Sequence, residues 1–284
     1  MNMLYAAFLG LVQGVAEFLP ISSSGHLALF ENLLHMEALE AMEGSALFNI
    51  LLHLATLAAV IAAYWSDIKE MCAEGVGMVK SIARRQPILG EGEGIPARRL
   101  ILMIILGTLP LFVIVPFQDA LERLNAYPVA IGIALLVTGT LLFVADRLPR
   151  GEKTAGTMTA ADALIIGVAQ ALATIPGLSR SGSTITAGMS RGLERSFAVR
   201  FSFLMSLLSV AGAVILKALD VLEEGIDVSL LPMYLVGMAV AGVTGYLSIR
   251  LLHKIVKKGR FGGFAYYCWG VGALSIVLTL ALGG

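Results

Sequence analysis

Residues 10–26 read GLVQGVAEFLPISSSGH, and residues 167–184 read GVAQALATIPGLSRSGST. Each stretch starts as apolar helix, meets a proline, and continues through small hydroxyl residues and glycine. Shifting residue 10 onto residue 167 superposes Gly10, Gln13, Ser22, Ser24 and Gly25 on Gly167, Gln170, Ser179, Ser181 and Gly182. Pro20 falls one residue from the counterpart of Pro176. Just downstream, FNILLHLATLAAV (48–60) resembles FSFLMSLLSVAGA (201–213). The chain therefore reads as two repeats in one domain, about 1–147 and about 160–284, each opening with a helix that breaks inside an apolar segment.

Composition says which solvent surrounds those breaks. Of the 284 residues, 57% are hydrophobic and 14% charged, with a mean hydropathy of +0.85. A soluble domain carries about 25% charged residues; this chain has too few to cover a water-facing surface, so it is expected to be all-α and integral to a membrane. Net charge is zero and there is no long basic run, which argues against a nucleic-acid partner. Cys72 and Cys268 form neither a disulfide framework nor a metal-ligand spacing. The N-terminal stretch lacks the positive region of a signal peptide, since the first Lys or Arg is Lys69. It is read as mature structure.

Crossing a bilayer takes about 20 apolar residues. Six stretches qualify, at roughly 46–65, 99–117, 127–145, 198–219, 230–252 and 264–282. Segments 3–34 and 160–193 are apolar but interrupted, and could be kinked spans or re-entrant hairpins of two half-helices. The loops decide between these. Lys69, Lys80, Arg84, Arg85 and Arg98 fall in 66–98 with Arg99 directly after it, Arg147, Arg150 and Lys153 in 146–159, and Lys254, Lys257, Lys258 and Arg260 in 253–263. Loop 220–229 holds Asp220, Glu223, Glu224 and Asp227 with no base. The positive-inside rule puts the first three loops in the cytoplasm and the acidic one outside. Span 127–145 then ends inside and span 198–219 starts inside, so 160–193 enters and leaves on one face. A hairpin plus three spans is an odd number of crossings, which turns the second repeat upside down. Inverted repeats with broken helices place their site where the breaks meet.

The breaks are rich in functional groups. Gln13 and Glu17 are four apart and share a helical face; a carboxylate in a membrane segment is expected to be paired or functional. After Pro20 come Ser22, Ser23, Ser24, Gly25 and His26; after Pro176 and Gly177 come Ser179, Arg180, Ser181, Gly182, Ser183 and Thr184. Helix starts and an arginine attract phosphate. Gln13 and Glu17 offer oxygens to a hard divalent cation, Mg²⁺ or Ca²⁺, which completes its shell with substrate phosphate. A pyrophosphate bridged by such a cation suits this set, and the bilayer setting makes the rest of the substrate a lipid. The i,i+3 spacing puts Ser23 on one face with His26, as nucleophile or transition-state donor with its general base. Arg180 would clamp the phosphates, or form an ion pair with Glu17, or do both in different states. Ser22, Ser179, Ser181, Gly182 and Thr184 are the expected substrate contacts, with packing as the alternative for the hydroxyls.

QGVAEFLPISSSGH and PGLSRSGST resemble the two signature motifs of the undecaprenyl-pyrophosphate phosphatase family (BacA/UppP), and the likeness covers essentially the whole chain. It implies hydrolysis of undecaprenyl pyrophosphate to the monophosphate at the outer side of the bacterial inner membrane. That step recycles the lipid carrier for cell-wall synthesis, and overproduction of such proteins confers bacitracin resistance. Gln13 stands where a glutamate is common. Ser24-Gly25-His26 also mimics an element of the acid-phosphatase-like lipid phosphatases, but Ser190-Arg191 is not followed by the second histidine that class needs. The competing function is an inverted-repeat transporter or lipid flippase for an anionic headgroup. A homodimer is a further expectation.

Overall fold

A computed structural model describes residues 3–34, 46–89, 95–224 and 230–282. The helices are α1 (Met3–Phe18), α2 (Ser23–Leu34), α3 (Ala46–Ala63), α4 (Trp65–Ala83) and α5 (Ile95–Thr108), then short α6 (Leu111–Ile114) and α7 (Gln118–Glu122), and α8 (Pro128–Arg147). The second half holds α9 (Ala160–Leu172), α10 (Arg180–Ser190), α11 (Arg195–Glu224), α12 (Leu231–Lys257) and α13 (Gly263–Leu282). Five stretches are long and apolar enough to cross a membrane: Pro96–Phe117, Pro128–Arg147, Arg195–Ile215, Leu231–Lys257 and Gly263–Ala281. Among the described residues a sixth is reached only when Leu47–Ala63 is taken together with Trp65–Ala83, to which it is joined by an 87° bend. The five coincide with five of the six expected spans, and the first half of the bent pair covers the remaining one, 46–65. The chain is a multi-pass membrane protein. Residues 225–229 of the acidic loop lie outside the described residues.

One expectation changes. The stretch 66–98 reads as a loop because it is charged, yet its first half is α4, a full helix turned aside from α3. Asp67 pairs with Arg200 of α11 at 2.5 Å, and Glu74 pairs with Arg98 of α5 at 2.6 Å. Those ties hold α4 against the bundle.

With no water between helices in a bilayer, close backbone approach through small residues replaces hydrophobic burial as the source of packing. Gly10 and Gly14 of α1 lie directly on Gly237, Ala241 and Gly245 of α12; a Cβ on Gly10 would sit 2.9 Å from the Gly237 carbonyl carbon. Gly167 of α9 meets Gly107 of α5 in the same way. Gly132 of α8 and Gly272 of α13 are set against each other, each facing the other's carbonyl oxygen. Outward, Leu4, Phe112, Ile215 and Leu280 are each about 70% exposed, as lipid-facing side chains must be.

Both broken segments fold back as hairpins. α1 stops at Phe18 because Pro20 disfavours helix in the residue before it, and Phe8 of α1 packs edge-on against Phe30 of α2 with centroids 5.4 Å apart. α9 opens with a capping box, in which the Thr159 hydroxyl accepts from the Asp162 N–H and the Asp162 carboxylate accepts from the Thr159 N–H. Asp162 is fully buried and pairs with Lys153 at 2.8 Å and Arg191 at 2.9 Å. Arg191 caps the far end of α10. The open ends of the second hairpin are therefore held together.

Candidate active site

The two breaks touch. A Cβ on Gly25, at the start of α2, would lie 2.9 Å from the Gly177 Cα in the second break. Gly177 has φ +89° and its missing Cβ would strike Ala134 and the Ile131 carbonyl at 2.8 Å, so this position accepts only glycine. Thr138 of α8 fastens the same turn: its hydroxyl donates to the Gly177 carbonyl at 3.2 Å and accepts from the Ser179 N–H at 3.1 Å.

Each α-helix that follows a break is capped by the serine the repeat alignment pairs. Ser22 Oγ accepts from the Gly25 N–H at 3.2 Å, and Ser179 Oγ accepts from the Gly182 N–H at 3.1 Å. Ser22 also sits at φ 72°, a left-handed conformation that costs a non-glycine residue about 1–3 kcal/mol. Hydrogen bonds hold it there, because its carbonyl accepts from the His26 N–H at 3.3 Å and meets His26 Nδ1 at 2.8 Å.

Glu17 is the centre of the arrangement. Its Oε1 pairs with Arg180 Nη2 across the junction. Its Oε2 accepts from Ser23 Oγ at 2.8 Å and from Gln13 Nε2 at 3.3 Å. Arg180 Nη1 donates to Ser209 Oγ of α11 at 3.4 Å. The helix starts of α2 and α10 thus present a hydroxyl and a guanidinium to one carboxylate carried by α1. In this state the ion-pair reading of Arg180 is the one observed.

His26 is placed differently from the sequence expectation. It shares the first turn of α2 with Ser23, but the two side chains are not hydrogen-bonded. Its Nδ1 is at the Ser22 carbonyl, and its Nε2 is 2.8 Å from Tyr267 Oη of α13, with the two rings stacked at 5.6 Å. The i,i+3 rule gives a common face but not a common partner, and a tyrosine from the other end of the chain captures the imidazole. Thr184 turns from the junction, its hydroxyl bonding the Arg180 carbonyl and Ser202 Oγ of α11 at 2.6 Å. Ser181 Oγ stays with Ser179 Oγ at 3.3 Å, and both are buried.

Gln13 and Glu17 do lie side by side, as their spacing requires. Among the described residues no three His, Cys, Asp or Glu side chains converge as a metal site. A cation here would have one carboxylate, one amide and a neighbouring hydroxyl, and would take its remaining ligands from water and substrate phosphate, as Mg²⁺ commonly does. The donor set fits on those terms, with the Gln13 amide turned to present its oxygen.

Sequence reasoning missed Tyr267 and Ser209. Nothing near Tyr267 in the chain marks it. Ser209 had a signal: in the alignment of 48–60 with 201–213 it falls opposite Thr56, on a helix that follows a break.

A family model described as "Bacitracin resistance protein BacA" matches residues 6–274. The chain is 37% identical over 284 residues to an undecaprenyl-diphosphatase of Methanosphaera stadtmanae, covering 99% of this chain and 100% of that protein. It is 39% identical over 277 residues to one from Alkaliphilus metalliredigens, covering 97% and 98%. Undecaprenyl-diphosphatase 4 of Bacillus thuringiensis subsp. konkukian is 37% identical over 281 residues, covering 99% and 98%.

Proposed function

The chain belongs to the bacitracin resistance protein BacA family, and from that premise we propose that it hydrolyses undecaprenyl pyrophosphate to undecaprenyl phosphate and inorganic phosphate. The observation that carries the mechanism is Ser23 and Arg180 meeting on the two oxygens of Glu17. When the lipid's phosphates enter, Arg180 turns its planar fork from Glu17 to them and stabilises the charge that develops on the transferred group. α2 and α10 both start at this junction, and their helix dipoles add to that field. Ser23 Oγ attacks the terminal phosphorus while its proton passes to Glu17; the bond to the bridging oxygen breaks and undecaprenyl phosphate leaves. Water then cleaves the phosphoserine and releases inorganic phosphate. Glu17, at 2.8 Å, is the base for Ser23 in this scheme, and His26 with Tyr267 holds the strained Ser22 turn. A divalent cation held by Gln13 and Glu17 would neutralise phosphate charge when bound.

The fold we propose around this site is an inverted pair of repeats, each a re-entrant hairpin and three spans. It is supported by the matched glycine crossings, Gly10 on Gly237 and Gly167 on Gly107, which join each hairpin to a span of the opposite repeat, and by Gly132 against Gly272 between the two last spans. The Lys/Arg balance of the loops supports an inner-membrane orientation with the site opening outward. A single cysteine at Glu224 should then react with an impermeant reagent in intact cells; reaction only after lysis would reverse the orientation. A transporter shares the broken helices, but gives no task to a serine hydroxyl held on a carboxylate beside an arginine.

Purified protein supplied with undecaprenyl pyrophosphate and a divalent cation should release one phosphate per lipid, and Ser23→Ala should lose at least about 100-fold, the lower end of what a base-activated group contributes. No phosphate from the wild type would refute the reaction. Near-normal release by Ser23→Ala would hand the attack to water.

A further inference from the structure

Arg180 has a second face. Away from Glu17 it borders a groove of about 540 Å³ between α5, α6, α9 and α11, within the usual size of a ligand pocket. The mouth is apolar, formed by Ile105, Leu109, Phe112, Leu208 and Ile215, all exposed to the lipid side. The inner end is polar: Arg180, Ser209 and Gln170. Gln170 is 1% exposed, and its amide nitrogen has no hydrogen-bond partner among the described residues. Among the described residues its side chain makes one hydrogen bond, a long one of 3.5 Å from Ser209 Oγ to its oxygen. A buried amide N–H₂ left without an acceptor is unfavourable and asks for an explanation. Here the explanation lies next to it, since the same end of the groove holds the guanidinium that is to take the phosphates.

We propose that this groove seats the isoprenoid chain of the lipid pyrophosphate, and that Gln170 donates its free amide N–H to a phosphate oxygen beside Arg180. The inference rests on the lipid-pyrophosphate reading and deepens it by naming the residues that bind the substrate from the second repeat. The shape fits one end greasy and one end anionic: an apolar chain can slide in from the bilayer between α5 and α11 without crossing water. Its headgroup then meets one charged donor and one neutral donor. Gln170 matches Gln13 in the repeat alignment, but the two amides do different work, one toward Glu17 and one toward the groove.

Gly212 offers a clean probe. It lines the groove, and a Cβ added there would meet nothing within 4 Å, so a side chain can branch from the α11 backbone there without a clash at its root. The measurement is equilibrium binding, in detergent, of two non-hydrolysable ligands: a C55 polyprenyl methylenediphosphonate and free methylenediphosphonate. Gln170→Met keeps the length and packing and should weaken both about tenfold, the loss of roughly one hydrogen bond to a charged group. Gln170→Glu, which puts a carboxylate beside Arg180 in competition with phosphate, should weaken both at least as much and carries the test if the Met variant does not fold. Gly212→Phe should weaken the C55 ligand about tenfold and leave the free headgroup unchanged. Unaltered binding in the folded Gln170 variants, unaltered C55 binding in Gly212→Phe, or competition by phosphatidylglycerol as strong as by the C55 ligand would overturn the proposal. Phosphate release by the wild type is scored separately. If release is absent while these binding losses are present, the hydrolase reading fails and this site stands; the reverse pattern fails this site alone.

Discussion

Glu17 and Arg180 should not be equally replaceable, and the asymmetry can be worked from their surroundings. The Glu17 side chain is 9% exposed and that of Arg180 is 27% exposed. Arg180→Ala strands a buried carboxylate with only Ser23 and Gln13 as donors, and removing one partner of a buried pair costs about 3–5 kcal/mol. Glu17→Gln leaves an amide that still accepts from the guanidinium, which itself reaches the groove. Its largest cost is the charge assistance of the Arg180 hydrogen bond, about 1.5 kcal/mol. At roughly 2–4 °C per kcal/mol for a chain of this size, Arg180→Ala should melt about 6–20 °C below wild type, and Glu17→Gln about 3–6 °C below. The double variant removes both charges together and should be more stable than the Arg180→Ala single, a coupling of about 2 kcal/mol. The assay is thermal unfolding in detergent micelles followed by intrinsic tryptophan fluorescence, with phosphate release measured on the same samples. All three variants should be nearly inactive. If Arg180→Ala melts with the wild type, or the double variant loses the sum of the singles, the pair is not the buried, coupled link between hairpins described above.

Ser23→Ala and Glu17→Gln should each nearly abolish hydrolysis, and together be no worse than the poorer single, because groups that act as a unit lose activity only once; additive losses would separate Ser23 from Glu17. His26→Ala and Tyr267→Phe should act alike and more mildly on kcat, and a His26→Ala loss as deep as that of Ser23→Ala would restore the imidazole as the base. Excess chelator should stop turnover and Gln13→Glu should lower the divalent ion concentration needed, by adding an anionic ligand; full activity in chelator would remove the metal from the scheme. Gly10→Val, whose Cβ would press on the Gly237 backbone, should destabilise by about 1–3 kcal/mol, whereas Gly75→Ala on α4, with nothing within 4 Å, should not; equal stability of the two would deny the close α1–α12 crossing.

Much of the architecture was legible in the chain because its causes are local or one-dimensional. Span length, proline breaks and the small-residue runs after them depend on hydropathy and backbone chemistry over 20 residues or fewer, and five of the expected spans appear at their expected places, with the sixth as the first half of a bent helix pair. The two serines that the alignment pairs, Ser22 and Ser179, both cap the helix after a break, because a broken helix needs an N-cap wherever it restarts. The charged stretch 66–98 misled, since charge marks contact with water and not the absence of helix; α4 satisfies its backbone internally and its acids on neighbouring helices.

What the sequence determined by itself is the inventory: a membrane chain, two breaks, one carboxylate, one imidazole, one guanidinium and the hydroxyls around them. What only the tertiary structure decided is who meets whom. Ser23 finds Glu17 and not His26, His26 finds a tyrosine 241 positions away, and Arg180 bridges Glu17 and Ser209 from between two helices. Periodicity fixes which residues share a face, but a hydrogen bond also needs the neighbouring helix to arrive at a given depth and rotation. Here that depth is set by glycine-to-glycine crossings, Gly10 on Gly237 and Gly25 on Gly177, whose partners lie far apart in the chain and whose contact exists only once the bundle has closed.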